Sequence, residues 1–160
     1  MQSSQRWYFV KRIMFVCHGN ICRSPLAEFV MKDLASRQGL SDELYIESSA
    51  TSAEEIGNPI YPPIKDVMRK HNIPFSEHYA TRLKAEDYDK FDLFIIMDSN
   101  NLRNIMRIFG EDREEKIHFL LEYTGNKRDV ADPWYYGNFE ETYNDILNGC
   151  KALIEHIKRS

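Results

Sequence analysis

The stretch Val16–Pro25, reading VCHGNICRSP, follows the apolar run Ile13, Met14, Phe15 and Val16 without a break. That junction limits what the chain can become. A short run of branched and aromatic residues with no polar alternation reads as a strand buried on both faces. The polar loop after it carries a thiol at Cys17, a guanidinium at Arg23 and a hydroxyl at Ser24, and Pro25 with the apolar periodicity beyond it starts a helix at once. A strand that turns directly into a helix gathers backbone N–H groups at a helix N-terminus. Those donors and the helix dipole both favour a multiply charged oxyanion, and the same field favours Cys17 as a thiolate. The composite expectation is a nucleophile inside an anion cradle.

The rest of the chain reads as alternating elements around that junction. The first strand is expected over Arg12–Val16. Leu26, Phe29, Val30, Leu34 and Ala35 then recur at helical spacing, with Gly39 where a helix stops. Leu44–Glu47 reads as a second strand, followed by SSATS as a loop able to approach the first one. A second helix is expected over Pro62–His71 with the proline pair in its first turn, and 72–89 as a connecting segment with at most short helical pieces. FDLFIIM, Phe91–Met97, is the next buried strand, ended by Asp98 and Ser99 as a strand-to-helix corner. Leu102, Ile105, Met106 and Phe109 form the third helical stripe, stopped by Gly110. Lys116–Leu120 is the fourth strand, ADPWYYGNFEE lies beyond a polar span, and a last amphipathic helix runs from Phe139 through Ile157. This order predicts an α/β fold of three layers, α/β/α, with a four-stranded parallel sheet and a phosphate-binding loop after the first strand. Loops leaving strand C-termini share one edge, so DPWYY and the Cys17 loop are expected as neighbours.

Composition bounds the function class. In 160 residues, 42% are apolar and 29% charged, with a formal net charge of -4, which suits one globular domain over 12–160 behind a flexible segment 1–11. An acidic balance argues against nucleic acid as a partner. Three cysteines, two of them five positions apart, match neither a disulfide framework nor a zinc site. With no apolar run of transmembrane length, the reading is a cytoplasmic monomer without membrane insertion.

Each candidate residue also has a plainer reading. Cys17 could be a small core residue, but the loop behind it favours a nucleophile. Gly19 permits a tight turn, Asn20 tolerates an unusual dihedral, and Arg23 offers a rigid fork for phosphate oxygens. The span His18, Gly19, Asn20, Ile21, Cys22, Arg23 and Ser24 is therefore the expected phosphate-binding loop. Ser24 is a first-turn residue, a hydrogen-bond partner of the Cys17 sulfur, or both. Cys22 is a packing residue or the thiol that captures an oxidised Cys17 as a disulfide. Asp132 is a turn residue before Pro133 or a proton donor, with Asp129 as its rival. Trp134, Tyr135 and Tyr136 are ordinary aromatics or the wall for a substrate ring.

Five residues separate Cys17 from Arg23, a spacing characteristic of cysteine-dependent phosphatases. CHGNICRSP closely resembles the signature of the low-molecular-weight protein tyrosine phosphatases, and ADPWYYGN resembles their general-acid loop. DPWYYGN and GNPIYPP are more similar to bacterial than to animal members. The resemblance spans nearly the whole chain. It implies a four-stranded parallel sheet and hydrolysis of phosphotyrosine with no metal and no cofactor. It makes Cys17 the nucleophile, Arg23 the phosphate clamp and Asp132 the general acid. It groups Asn20, Ser24, Ser48 and His78 as a hydrogen-bond network supporting the loop, and extends a stabilising role to Asp98 or Arg82. Trp134 and Tyr135 become one wall of the substrate pocket. The opposite wall departs from the family, because Glu54 stands where an aromatic is common and makes the mouth more acidic. The implied partner is a tyrosine-phosphorylated protein, a bacterial tyrosine kinase among the candidates. Rival readings are a thiol-dependent arsenate reductase, which needs further resolving thiols, a non-catalytic phosphotyrosine-binding module, and a redox sensor built on Cys17 and Cys22.

Overall fold

The computed structural model describes residues 10–160, so the expectation of a flexible N-terminal segment falls mostly outside the described residues. Lys11, assigned to that segment from sequence, is the first residue of β1. Its amide donates to Glu43 O at 2.9 Å.

Four strands are present among the described residues: β1 (Lys11–Cys17), β2 (Leu44–Ala50), β3 (Leu93–Ile96) and β4 (Ile117–Phe119). They form one parallel sheet in the order β2-β1-β3-β4. Five helices alternate with them: α1 (Arg23–Arg37), α2 (Pro62–Lys70), α3 (Ser99–Phe109), the single turn α4 (Pro133–Tyr136) and α5 (Phe139–Arg159). Two 3-10 turns, Ala85–Asp89 and Leu120–Thr124, complete the described elements.

Side chains of β1 alternate between two cores, which is why its sequence shows no polar alternation. Ile13, Phe15 and Cys17 enter the larger one with Leu26 and Val30 of α1, Ile64 and Met68 of α2, and Ile146, Leu153 and Ile154 of α5. Met14 and Val16 enter the smaller one with Phe94 and Ile96 of β3, Ile105 of α3, Leu83, Tyr88 and Phe91. A strand buried on both sides has to be apolar throughout.

The order β2-β1-β3 reverses direction at β1, so a crevice opens at the carboxyl end of that strand. The Cys17 loop begins there. One boundary differs from the sequence reading in a way that matters for the site. β2 continues through Ser48, Ser49 and Ala50, which the hydroxyl-rich composition had suggested as loop, and pairs with β1 as far as Cys17 opposite Ala50. Small side chains let the two strands stay adjacent to that point, and the connecting loop starts only at Thr51.

Candidate active site

The loop from Cys17 to Arg23 is shaped by where its carbonyls go. Thr51 N donates to Cys17 O at 3.0 Å, Ser52 N to His18 O at 3.1 Å, and Tyr61 N to Ile21 O at 3.0 Å. The loop after β2 thus takes up three carbonyls of the Cys17 loop and leaves intervening amides unpaired. Those of Gly19, Ile21 and Cys22 donate to no group among the described residues. The left-handed residue of the turn is Asn20, at φ 60, and Gly19 does not adopt a positive φ. Gly19 answers a different constraint, because an added Cβ would lie 3.2 Å from Glu55 Cγ.

Cys17 is buried; its thiol donates to Ser24 Oγ at 3.1 Å, and its sulfur accepts from Asn20 N and Ser24 N, each at 3.4 Å. Behind them runs a buried polar network. The Asn20 Nδ2 amide donates to Ser24 Oγ at 2.7 Å and Ser48 Oγ at 3.0 Å, and Ser48 donates to Glu28 Oε1 at 2.6 Å. Asn20 Oδ1 accepts from His78 Nε2 at 2.9 Å and Thr81 N at 3.1 Å. Asn20 is fully buried with all its polar capacity used, which offsets the roughly 1–2 kcal/mol of a left-handed backbone. The four residues grouped by resemblance therefore lie together. Glu28, which sequence reasoning missed, is their terminal acceptor; its signal was a carboxylate on the buried side of α1 between Ala27 and Phe29. Arg82 stands apart from this network and donates from Nε to Thr51 O at 3.4 Å.

Arg23 opens α1 and is 2% exposed. Its Nη1 donates to Asp98 Oδ2 at 2.7 Å and Val130 O at 2.8 Å, its Nη2 lies 3.4 Å from Asp132 Oδ2, and its Nε has no partner. Burial opposes the charge, but Cys17, Asp98 and Asp132 together hold the guanidinium's pKa above its ordinary value. Asp98 also caps α3, its Oδ1 accepting from Asn101 N at 2.8 Å. The capping pattern was legible in sequence; the grip on Arg23 was not.

Asp132 caps α4, accepting from Trp134 N at 3.0 Å, and shares a pocket of about 120 Å³ with Cys17, His18, Gly19, Ile21, Cys22, Arg23, Glu54, Glu55, Trp134 and Tyr135. Asp129, its rival from sequence, does not line this pocket. Trp134 is about half exposed and packs on Tyr61, with ring centroids 4.7 Å apart; Tyr61 gave no signal in the sequence beyond its place before a proline pair. Glu54 is not the free charge its position suggested, because its Oε2 lies 3.0 Å from His18 Nε2. Burial, with Cys17 and Asp132 nearby, pushes the Cys22 thiol pKa up. Among the described residues no three His, Cys, Asp or Glu side chains converge as a metal site, and no helix is long and apolar enough to cross a membrane.

This arrangement places a sulfur, a loop with unpaired amides, a guanidinium and a carboxyl around one small space. A family model described as low molecular weight phosphotyrosine protein phosphatase matches residues 12–160. The low molecular weight protein-tyrosine-phosphatase YfkJ of Bacillus subtilis is 36% identical over 149 residues, covering 92% of this chain and 96% of that protein. The human low molecular weight phosphotyrosine protein phosphatase is 39% identical over 150 residues, covering 91% and 94%. The crystal structure of YfkJ superposes with a TM-score of 0.90 over 94% of this chain and 96% of that one. That of SP-PTP from Streptococcus pyogenes, 38% identical, gives 0.83 over 92% and 93%.

Proposed function

Because the chain belongs to the low molecular weight phosphotyrosine protein phosphatase family, we propose that it hydrolyses protein phosphotyrosine and small aryl phosphates through a phosphocysteine intermediate on Cys17. The observation that carries this reading is the Cys17 sulfur at the centre of an amide-lined loop in the same pocket as Asp132.

Phosphoryl transfer needs an in-line attacker, donors for the equatorial oxygens and a proton for the leaving oxygen. Cys17 attacks phosphorus, the S–P bond forms, and the P–O bond to the phenol breaks. The loop amides and the unpartnered Arg23 Nε hold the equatorial oxygens. Asp132 gives its proton to the departing phenolate. In the second step the Asp132 carboxylate takes a proton from water, the hydroxide oxygen bonds to phosphorus, and the S–P bond breaks to return the Cys17 thiolate and inorganic phosphate. The Ser24 hydroxyl stabilises that thiolate both as attacker and as leaving group. The Trp134 and Tyr135 wall favours a flat aryl ester, and a phosphoserine is too short to bring its phosphorus to the sulfur.

Oxidation of Cys17 by a peroxide gives a sulfenic acid, which condenses with the Cys22 thiol to release water and form a disulfide. Nothing in the site favours arsenate reduction: Cys150, the third cysteine, is fully buried on the inner face of α5, its thiol against Ala27 O. The proposed setting is the cytoplasm, with a tyrosine-phosphorylated protein as substrate, a bacterial tyrosine kinase among the candidates, acted on by a monomer.

The test is turnover of phosphotyrosine peptides, phosphoserine peptides and p-nitrophenyl phosphate without added metal, by wild type, Cys17→Ser and Asp132→Asn. Cys17→Ser is expected to abolish turnover, and Asp132→Asn to slow it by about 10²–10⁴-fold, the range for losing a positioned general acid. Unchanged turnover in Cys17→Ser would sink the mechanism.

A further inference from the structure

A second cleft, of about 470 Å³, adjoins the phosphate pocket on the side of the general-acid loop and shares His18, Arg23, Asp132 and Tyr135 with it. We propose that this cleft receives an arginine or lysine side chain of the substrate peptide close to its phosphotyrosine, held between Asp129 and the Tyr135 and Tyr136 rings. The inference rests on the phosphotyrosine reading above and adds the sequence class of the substrate.

The charges in the cleft are unevenly matched. Asp98 and Asp132 are both engaged by Arg23. The Asp129 carboxylate has no cationic partner among the described residues; it accepts only from Ser99 Oγ, at 3.4 Å, while the Asp129 main-chain oxygen accepts from Arg128 Nη1 at 3.2 Å. The neighbouring arginines are paired with other side chains than the Asp129 carboxylate. Arg103 donates to Asn100, and Arg128 forms a two-pronged bond with Asp145 at 2.7 and 3.1 Å; neither lines the cleft. Tyr135 and Tyr136 are 77% and 75% exposed, so their faces are open to a cation arriving at Asp129.

A second observation points to a ligand independently of charge. Asn101 lines the same cleft and is fully buried. Its Oδ1 accepts from Met97 N at 2.9 Å and Asp98 N at 3.2 Å, but its Nδ2 has no partner. A buried amide donor is rarely left unpaired unless something else accepts from it. A peptide carbonyl lying along the cleft supplies that acceptor, and the chain bearing it brings the basic side chain to Asp129.

The experiment compares phosphotyrosine peptides identical except for arginine, alanine or glutamate at the positions beside the phosphotyrosine. Two readouts are used: kcat/KM for wild type, and binding to the Cys17→Ser protein by fluorescence anisotropy, which does not depend on turnover. The arginine peptide is expected to exceed the glutamate peptide by roughly tenfold, mainly through KM, as exposed charge pairs and cation–π contacts allow. The advantage should shrink at high salt. Asp129→Asn should reduce the ratio to about twofold, and Asp129→Lys should invert it. Equal kcat/KM and equal binding for the arginine and glutamate peptides, or a ratio unmoved in both Asp129 variants, overturns the proposal. Failure of the phosphatase reading would show separately, as absent turnover of p-nitrophenyl phosphate by wild type.

Discussion

The Ser24 hydroxyl lies 3.1 Å from the Cys17 sulfur, and its oxygen already accepts from the Asn20 amide at 2.7 Å. The thiol donates to that oxygen, and once Cys17 is a thiolate, which can only accept, the Ser24 proton is the one left to bridge them. A hydrogen bond to a charged group is worth about 1.5–3 kcal/mol, roughly ten- to hundredfold in rate. In Ser24→Ala, breakdown of the phosphocysteine should slow by that factor. Rapid-quench kinetics with p-nitrophenyl phosphate should then show a burst of phenol; steady-state turnover equal to wild type with no burst would reduce Ser24 to a helix residue.

Asn20 combines a left-handed backbone with four side-chain hydrogen bonds in a site closed to water. Asn20→Ala keeps the strain and loses the bonds, whereas Asn20→Gly loses the bonds and relieves the strain. Denaturant unfolding should show Asn20→Ala destabilised by about 3 kcal/mol and Asn20→Gly by about 1 kcal/mol less. Equal stabilities would mean that the backbone conformation carries no cost here.

Asp98 holds a guanidinium that is almost wholly buried. Removing one partner of a buried pair typically costs about 3–5 kcal/mol; Val130 O remains as an acceptor, so Asp98→Ala should fall at the low end. The freed Arg23 should also grip oxyanions less well. Competitive inhibition by inorganic phosphate is expected to weaken about tenfold, and an unchanged inhibition constant would show that the loop amides alone orient the anion.

The three thiols should differ sharply in reactivity. The Cys17 sulfur receives two backbone hydrogen bonds and pairs with the Ser24 hydroxyl, whereas burial raises the pKa of both Cys22 and Cys150. Since the thiolate is the nucleophile, brief iodoacetamide treatment at neutral pH should label Cys17 alone, as read by peptide mass spectrometry. Inorganic phosphate should protect it. Equal labelling of Cys22 would contradict this account of the loop.

Gly149 of α5 packs directly against Leu120. A Cβ there would lie 2.4 Å from Leu120 Cγ, so Gly149→Ala must displace a buried side chain and should cost about 1–3 kcal/mol. A lower thermal midpoint with unchanged kcat is the expected result; a stabilised protein would show that Leu120 repacks freely.

Much of this architecture could be read from residue order. The apolar run before Cys17 required a strand buried on both faces, and Pro25, Gly110 and the capping Asp98 marked where helices start or stop, because such signals act within a few residues. The two chemically rich stretches were legible for the same reason, as compact local patterns around Cys17 and Asp132. What stayed hidden depends on elements distant in sequence. Ser48 looked like loop, and only its pairing beside β1 puts it in a strand within reach of Asn20. Glu28 as final acceptor, Asp98 and the Val130 carbonyl as anchors of Arg23, Tyr61 beneath Trp134, and the meeting of His18 with Glu54 each join residues from separate elements. Sequence by itself determined the nucleophile-bearing loop and the alternation that builds a parallel sheet, since periodicity and turn chemistry are local. The network behind the Cys17 sulfur, and the carboxylate left unmatched at Asp129, were decided only when the tertiary structure brought side chains from different elements within 3–4 Å.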